Sequence, residues 1–231
     1  MQTVQVIELE GNEAAVSMCL VKLEGSEERL LAVGTATNMT LAPRGADGGS
    51  VRLYRFAGEG GRSLELLHST ALDGIPSAMA EFHGRLLVGV GGSLRLYSAG
   101  KKRLLKKCEN RKFPNFVSGI KTLGERIYVS DASESMVFVR YRSEENQLTI
   151  YADDIVPRYM SASCLLDYDT MAGADKFGNV FVSRLPQGLS QDIDQDPAGG
   201  RAADSRLRGA PYKLQDVANF LYSRKGSRAS W

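Results

Sequence analysis

The hexapeptide Gly-Ser-Val-Arg-Leu-Tyr at Gly49 to Tyr54 returns 43 residues later as Gly-Ser-Leu-Arg-Leu-Tyr at Gly92 to Tyr97. Two further steps of that length reach Val137, in the run Val137-Phe138-Val139-Arg140, and Val180, in Val180-Phe181-Val182-Ser183. Val51, Leu94, Val137 and Val180 are therefore expected to hold equivalent places in one repeated unit. Each lies in a short apolar run of strand character. A second apolar run precedes each one: Leu30 to Gly34, Leu86 to Gly89, Arg126 to Ser130 and Thr170 to Gly173.

Further strand candidates fill the gaps. They are Val4 to Leu9, Ala15 to Leu23, Leu64 to His68, Ser77 to Phe82, Arg103 to Lys107, Phe116 to Leu123, Gln147 to Tyr151 and Met160 to Leu166. Four strands in a repeat of about 40 to 45 residues describe a propeller blade. A single blade leaves both faces open, and stacking blades around an axis covers them. Small residues near strand ends (Gly34, Gly89, Ala132, Gly173) suit close approach to that axis. A β-sandwich is the all-β alternative, but a sandwich has no reason to repeat at constant spacing. The expected fold class is thus all-β, a WD40-like β-propeller of about four four-stranded blades, as a partial or open ring with an irregular C-terminal tail. Residues 1–185 hold the blades. The connection from Thr35 to Gly48 reads as a surface insertion. Residues 186–209, poor in apolar side chains, read as a flexible linker or loop. Residues 210–231 read as a terminal strand or short helix and a tail.

Composition narrows the function. Lys and Arg number 29 against 27 Asp and Glu, for a net charge of +2, so any basic binding surface must be local. Cys19, Cys108 and Cys164 cannot all pair and form no C-x-x-C, which argues against a disulfide scaffold or zinc site and for buried thiols in a reducing compartment. The N-terminus lacks the basic and apolar regions of a secretory signal, and no run of about 18 apolar residues exists. A soluble, intracellular protein is expected.

Catalytic patterns are weak. Gly89-Val90-Gly91-Gly92 lacks the spacing of a dinucleotide loop and reads as a tight turn. Asp192, Asp194 and Asp196 suggest a calcium loop, yet Pro197 and Ala203 occupy the places that need Gly and Glu. Asp153, Asp154, Asp167 and Asp169 sit where Asp commonly caps strand ends and turns. His68 is expected to end a strand and His83 to mark a turn, neither beside a nucleophile. The one charge cluster is Lys101, Lys102, Arg103, Lys106, Lys107, Arg111 and Lys112, with Glu109 the only acid among them. It reads either as a solvated outer strand whose lysines deter edge pairing or as a surface for phosphates or an acidic partner.

Two stretches carry a resemblance. They are GKKRLLKKCEN, Gly100 to Asn110, and ENQLTIYADDIVPRYMSASCLLDYDTMAGADKFGNVFVSRLP, Glu145 to Pro186. Together they resemble the C-terminal region of the family of large propeller subunits found in splicing factor 3b, in the cleavage and polyadenylation specificity factor and in the damaged-DNA-binding complex. The run DYDTMAGADKFGN is similar to the splicing branch in particular. The resemblance extends from about Leu9 to Pro186. It implies a non-catalytic, cofactor-free scaffold of three propellers, of which this chain would lack the first two and the helical C-terminal tail. It also implies a nuclear location, other splicing factor 3b subunits as partners, at most indirect or weak RNA contact, and neither a membrane nor a small-molecule substrate. Gly173 and Gly178 are then expected in turns and Asp167 and Asp175 as caps. Lys101 to Lys112 and Arg158 are expected to be partner-facing surface. Direct nucleic-acid binding is the rival reading. A propeller hydrolase, which would need a carboxylate-lined axis, is a third.

Overall fold

The computed structural model describes residues 3–190, 193 and 211–220. Four antiparallel sheets follow one another along the chain. Blade 1 contains β1 (Glu13–Val21) and β2 (Leu30–Thr37), a small hairpin of β3 (Thr40–Leu41) and β4 (Arg44–Gly45), then β5 (Gly48–Ala57) and β6 (Ser63–Leu72). Blade 2 contains β7 (Pro76–Phe82), β8 (Arg85–Val90), β9 (Ser93–Ser98) and β10 (Leu105–Asn110). Blade 3 contains β11 (Val117–Leu123), β12 (Arg126–Asp131), β13 (Met136–Arg142) and β14 (Gln147–Asp153). Blade 4 contains β15 (Met160–Leu165), β16 (Thr170–Asp175) and β17 (Val180–Arg184).

The chain then returns. β18 (Tyr212–Lys213) pairs parallel with β14, and β19 (Gln215–Phe220) pairs antiparallel with β17 as the fourth strand of blade 4. Leu214 between them is buried in the core shared by blades 3 and 4, and its amide donates to the Asp153 carbonyl at 2.8 Å. The segment 213–220 is thus strand rather than helix, and it ties two blades together. Most of the expected linker 186–209, the Asp192, Asp194 and Asp196 run, and the tail 221–231 lie outside the described residues.

Within a blade, each strand pairs with its chain neighbour, β2 pairing with β5 across the small hairpin. The innermost strands β1, β7, β11 and β15 pack successively against one another. Alternation of side chains sends neighbouring residues of one strand to opposite blades. Leu86 and Val88 of β8 enter a core with Val51 and Leu53 of blade 1. Leu87, between them, enters a core with Val129 and Val137 of blade 3. A third core joins Tyr128 and Phe138 of blade 3 to Met171 and Phe181 of blade 4. Four blades with three shared cores form an open, propeller-like arc, as expected.

Pairing corrects the phase of the repeat. In every blade the first strand carries a bulge at the same place: between Ala15 and Ser17, Pro76 and Ala78, Val117 and Gly119, and Met160 and Ala162. The residue after the bulge pairs with Gly34, Gly89, Ser130 and Ala174, and these pair onward with Val51, Leu94, Met136 and Val180. Met136, not Val137, is therefore the third equivalent residue. A slip of one residue reverses the face, and Val137 points toward blade 2 while Met136 points toward blade 4.

Several smaller expectations change too. Val4 to Leu9 is not a strand: it lies outside the sheets, held by the Gln5 side chain, which accepts from the Leu64 amide at 2.7 Å. The insertion in blade 1 narrows to residues 38–47, because β2 runs to Thr37 and β5 starts at Gly48. Arg44, on its β4 strand, stacks over the Phe116 ring at 3.8 Å, reaching the connection between blades 2 and 3. His68 lies inside β6, not at its end. Ala132 sits in a turn, its amide donating to the Phe116 carbonyl, while Ser130 holds the place close to the next blade. Cys19 and Cys108 are half-buried and Cys164 is exposed, so the thiols are free but not all buried. Among the described residues no helix is long and apolar enough to cross a membrane.

Small residues are needed where blades meet. A Cβ on Gly89 would lie 2.5 Å from Val117 Cγ1 of blade 3. One on Gly173 would lie 2.6 Å from both Met136 and Phe181. Gly173 is thus an interior strand residue, whereas Gly178, at φ 89°, makes the expected turn. Arg126 is fully buried where blades 3 and 4 meet. It donates to the Tyr168 carbonyl at 3.0 Å, to Asp169 Oδ1 at 2.5 Å and to Ser190 Oγ at 2.9 Å, and it covers the Tyr168 ring at 3.9 Å.

Two outcomes are expected in urea titrations followed by circular dichroism. Gly89→Ala overpacks the joint between blades 2 and 3 and costs about 1–3 kcal/mol. Arg126→Ala removes the donor to Asp169 and leaves the Tyr168 carbonyl with the Tyr128 hydroxyl as donor; it costs about 3–5 kcal/mol, while Arg126→Met, which keeps the packed stem, costs less.

Candidate interaction surface

The sequence cluster from Lys101 to Lys112 maps onto the outer edge of blade 2. Lys101, Lys102 and Arg103 lie in the turn before β10, Lys106 and Lys107 on β10, and Arg111 and Lys112 just after it; all seven are exposed. A six-residue strand spans about 20 Å, so the charges form a stripe along the rim rather than one compact patch. The edge is partly protected, because Asn146 Nδ2 donates to the Lys107 carbonyl at 2.8 Å.

Glu109 divides this stripe. Its carboxylate receives Lys106 at 3.2 Å and Arg111 at 3.0 Å on one oxygen and Arg95 Nε at 2.8 Å on the other. Burial would push its carboxyl up, but hydrogen bonds from Arg111 and Lys106, with the charge and hydrogen bond of Arg95, outweigh burial and hold it at about 2. Arg95, almost buried, also receives support from Ser93 Oγ at 3.2 Å and pairs with Asp73 of the connection from blade 1 to blade 2. Hydrogen bonding from Arg95 lowers the Asp73 pKa. Two of the seven cations are thus committed to an internal clamp. Lys101, Lys102, Arg103, Lys107 and Lys112 form no ion pair among the described residues.

Arg158 is corrected outright. It is 8% exposed, pairs with Asp154, donates to Asp216 Oδ2 of β19 at 2.7 Å and stacks over Phe181 at 4.0 Å. Its guanidinium is spent on contacts within the fold, so Arg158 is a buried side chain and not the exposed surface expected. Asp154 in turn accepts from Ser135 Oγ at 2.6 Å and from the Val156 amide at 3.0 Å. Asp175 acts as the expected cap, its Oδ1 accepting from the amides of Phe177 and Asn179 at 2.8 and 2.9 Å. Asp167 Oδ1 likewise accepts from the Asp169 amide at 2.8 Å. No group of three or more His, Cys, Asp or Glu placed to hold a metal occurs among the described residues.

Sequence reading missed two features. One is the role of Ser-x-Arg inside the repeated hexapeptide: in blade 1 Ser50 and Arg52 both donate to Glu13, and in blade 2 Arg95 donates to Glu109 and to the Ser93 hydroxyl. The repetition itself was the available signal. The other is a set of serines at the inner-strand bulges. Ser17 Oγ donates to the Pro76 carbonyl and Ser77 Oγ to the Val117 carbonyl, both at 2.5 Å, each reaching the next blade.

The Glu109 clamp has a pH signature. A carboxyl held below its ordinary value of 4.5 stabilises the fold above that pH and loses its contribution as pH falls toward about 2. Acid unfolding followed by circular dichroism is expected to show a stability loss across this window, and Glu109→Gln is expected to flatten it.

Comparison with known proteins matches the geometry to a family. Residues 1–226 match the family described as the CPSF A subunit region. The chain is 50% identical over 221 residues to splicing factor 3B subunit 3 of Danio rerio, with 94% of this chain covered. It is 51% identical over 222 residues to spliceosome-associated protein 130 A of Arabidopsis thaliana, again with 94% covered. It is 45% identical over 222 residues to the probable splicing factor 3B subunit 3 of Dictyostelium discoideum, with 95% covered. The chain spans 18% of the length of each of these relatives. The resemblance carried by GKKRLLKKCEN and DYDTMAGADKFGN is therefore sustained across all four blades, and the chain belongs to the family of the CPSF A subunit region.

Proposed function

We propose that this chain is a non-catalytic scaffold segment acting in pre-mRNA splicing in the nucleus, where it holds other subunits of a splicing factor 3b complex. The observation that carries this reading is the 50% identity to splicing factor 3B subunit 3 over 94% of the chain. The architecture supports it: the conspicuous side chains are spent on rigidity, as buried arginine clamps and packed blade joints, which suits a platform. On this reading residues 1–185, closed by the strand at Gln215–Phe220, form the platform, and 186–209 is the linker that returns the chain to it.

Direct nucleic-acid contact is the second reading, favoured by the five cations along the rim of blade 2 that form no ion pair among the described residues. Phosphate contacts release counterions, so such binding weakens steeply with salt. A tagged chain incubated in nuclear extract, with bound proteins and RNA identified, is expected to recover splicing factor 3b subunits. The variant Lys101→Gln/Lys102→Gln/Lys107→Gln/Lys112→Gln separates the readings. Scaffold binding through protein is expected to retain the subunits and to change little with salt. Loss of RNA in the variant, with a salt-dependent signal in the parent, would support the nucleic-acid reading instead.

A further inference from the structure

Arg85, the first residue of β8, is a half-buried cation without an anion. Other arginines that the fold covers meet an oxygen: Arg52 on Glu13, Arg142 on Glu145 at 3.5 Å and Arg184 on Thr170 Oγ1 at 2.7 Å. Arg85 has no hydrogen bond or ion pair through its guanidinium among the described residues. Its Nε is shut off from solvent, and the guanidinium lies over the Tyr141 ring of blade 3, 5.3 Å from the centroid. A covered donor without an acceptor costs free energy, which an arriving acceptor returns.

Register places this arginine. Leu87 points into the core shared with blade 3, and Arg85, two residues earlier on the strand, faces the same way. Leu86 pairs with Tyr97 and Ser98 with Leu105, so Arg85, Ser98 and the exposed Leu105 follow one another across the sheet. Cys108 of β10 packs in the same joint, where burial pushes its thiol up and the Arg85 charge opposes the rise. The Tyr141 hydroxyl donates to Asn146 Oδ1 at 2.9 Å, and Asn146 Nδ2 donates to the Lys107 carbonyl. The ring beneath Arg85 is thus tied through one side chain to Lys107.

The free cations of the rim gather at this end of blade 2. Lys101, Lys102 and Arg103 occupy the turn beyond Ser98, and Lys107 sits at the bulge of β10. Lys112 alone lies past the other end of the strand, beyond the Glu109 clamp that consumes Lys106 and Arg111. The adjoining β13–β14 turn carries two acids: Glu145, paired with Arg142, and Glu144, which is exposed. Charge gathered at one place suits a single doubly charged group better than a line of single charges. A planar fork grips two phosphate oxygens at once, and arginine clusters are a recurring means of recognising phosphorylated segments.

We propose that this corner of blades 2 and 3 is a site for a phosphorylated serine or threonine in a partner protein. The Arg85 fork grips the phosphate, Lys107 and the turn from Lys101 to Arg103 surround it with positive charge, and Leu105 receives an apolar neighbour in the partner segment. The site goes beyond the scaffold role, because it names the chemistry of one added contact and holds whichever complex the chain serves.

Fluorescence anisotropy on the full chain tests the site, with a short labelled peptide of glycine, alanine and leucine that carries one phosphoserine. The same peptide with unmodified serine and a labelled oligouridylate are the comparisons. The phosphopeptide is expected to bind at least about tenfold more tightly than either, as one charged hydrogen bond allows. Arg85→Gln is expected to weaken it about ten- to a hundredfold, and Arg85→Lys, which keeps the charge without the fork, by a smaller factor. Lys107→Gln, at an exposed position, is expected to weaken it about two- to fivefold, and Lys112→Gln to leave it unchanged. Circular dichroism melts check that each variant is folded; if Arg85→Gln is not, Arg85→Lys and Lys107→Gln decide. Equal affinity for the unmodified peptide, undiminished binding in folded Arg85 and Lys107 variants, or an equal loss in Lys112→Gln would overturn the phosphate site. Tighter binding of the oligouridylate with the same dependence on Arg85 would overturn it in favour of nucleic acid.

Discussion

A sheet that is apolar on both faces cannot persist in water alone, and the whole arc follows from laying one such sheet on the next. The inner two blades meet this demand twice each. Leu86 and Leu87 are chain neighbours, yet they serve different cores because the strand alternates its sides. This division explains why a glycine at position 89 and another at 173 matter: the sheets approach closely enough that a methyl group has no room. It also explains why these strands show near-continuous apolar runs instead of the alternation of a half-exposed sheet.

Besides the serines of the inner-strand bulges, polar groups enter these joints as arginine clamps. Arg95, Arg126 and Arg158 are each almost wholly buried, and each meets a carboxylate from another strand or connection. A buried guanidinium with carboxylate and carbonyl acceptors fixes orientation more than it adds stability. Apolar faces alone would tolerate sliding; forked donors aimed at Asp73 and Asp169 specify how one blade sits on another, while Arg158 and Asp216 brace blade 4 itself. The near-balance of charge in the sequence therefore conceals an internal use of cations that a tally cannot separate from the free ones at the rim of blade 2.

The repeat, the four-strand unit and the open arc were legible because spacing and strand character come from local chemistry. Register was less so. Met136, Val137, Phe138 and Val139 are all apolar since both sides of β13 are buried, so no alternation distinguished Met136 from Val137. The path between blades decided it: the chain from Leu94 to Ser130 is two residues shorter than that from Val51 to Gly89, and the longer turn from β12 to β13 restores only one of them. Val4 to Leu9 alternates like a strand, but alternation supplies no partner edge. Among the site residues, the exposed lysines were readable from their density. Arg158 was not, because its burial depends on Asp216, 58 residues away. Glu109 was visible as a lone acid among bases, although nothing local indicated that Arg95 would reach it.

The small hairpin of blade 1 alters how the arc holds together. A row of blades in which each touches only its neighbours is one-dimensional: its stability is a sum of unit and nearest-neighbour terms, and it can fray from either end. The stacking of Arg44 on Phe116 does not follow that rule, since it links blade 1 to the connection entering blade 3 and passes over blade 2. With this second-neighbour link, opening the joint between blades 1 and 2 also breaks a contact beyond it. The first three blades are thereby coupled beyond their nearest-neighbour joints, and blades 3 and 4 are tied by a different device, the returning segment that pairs with both β14 and β17.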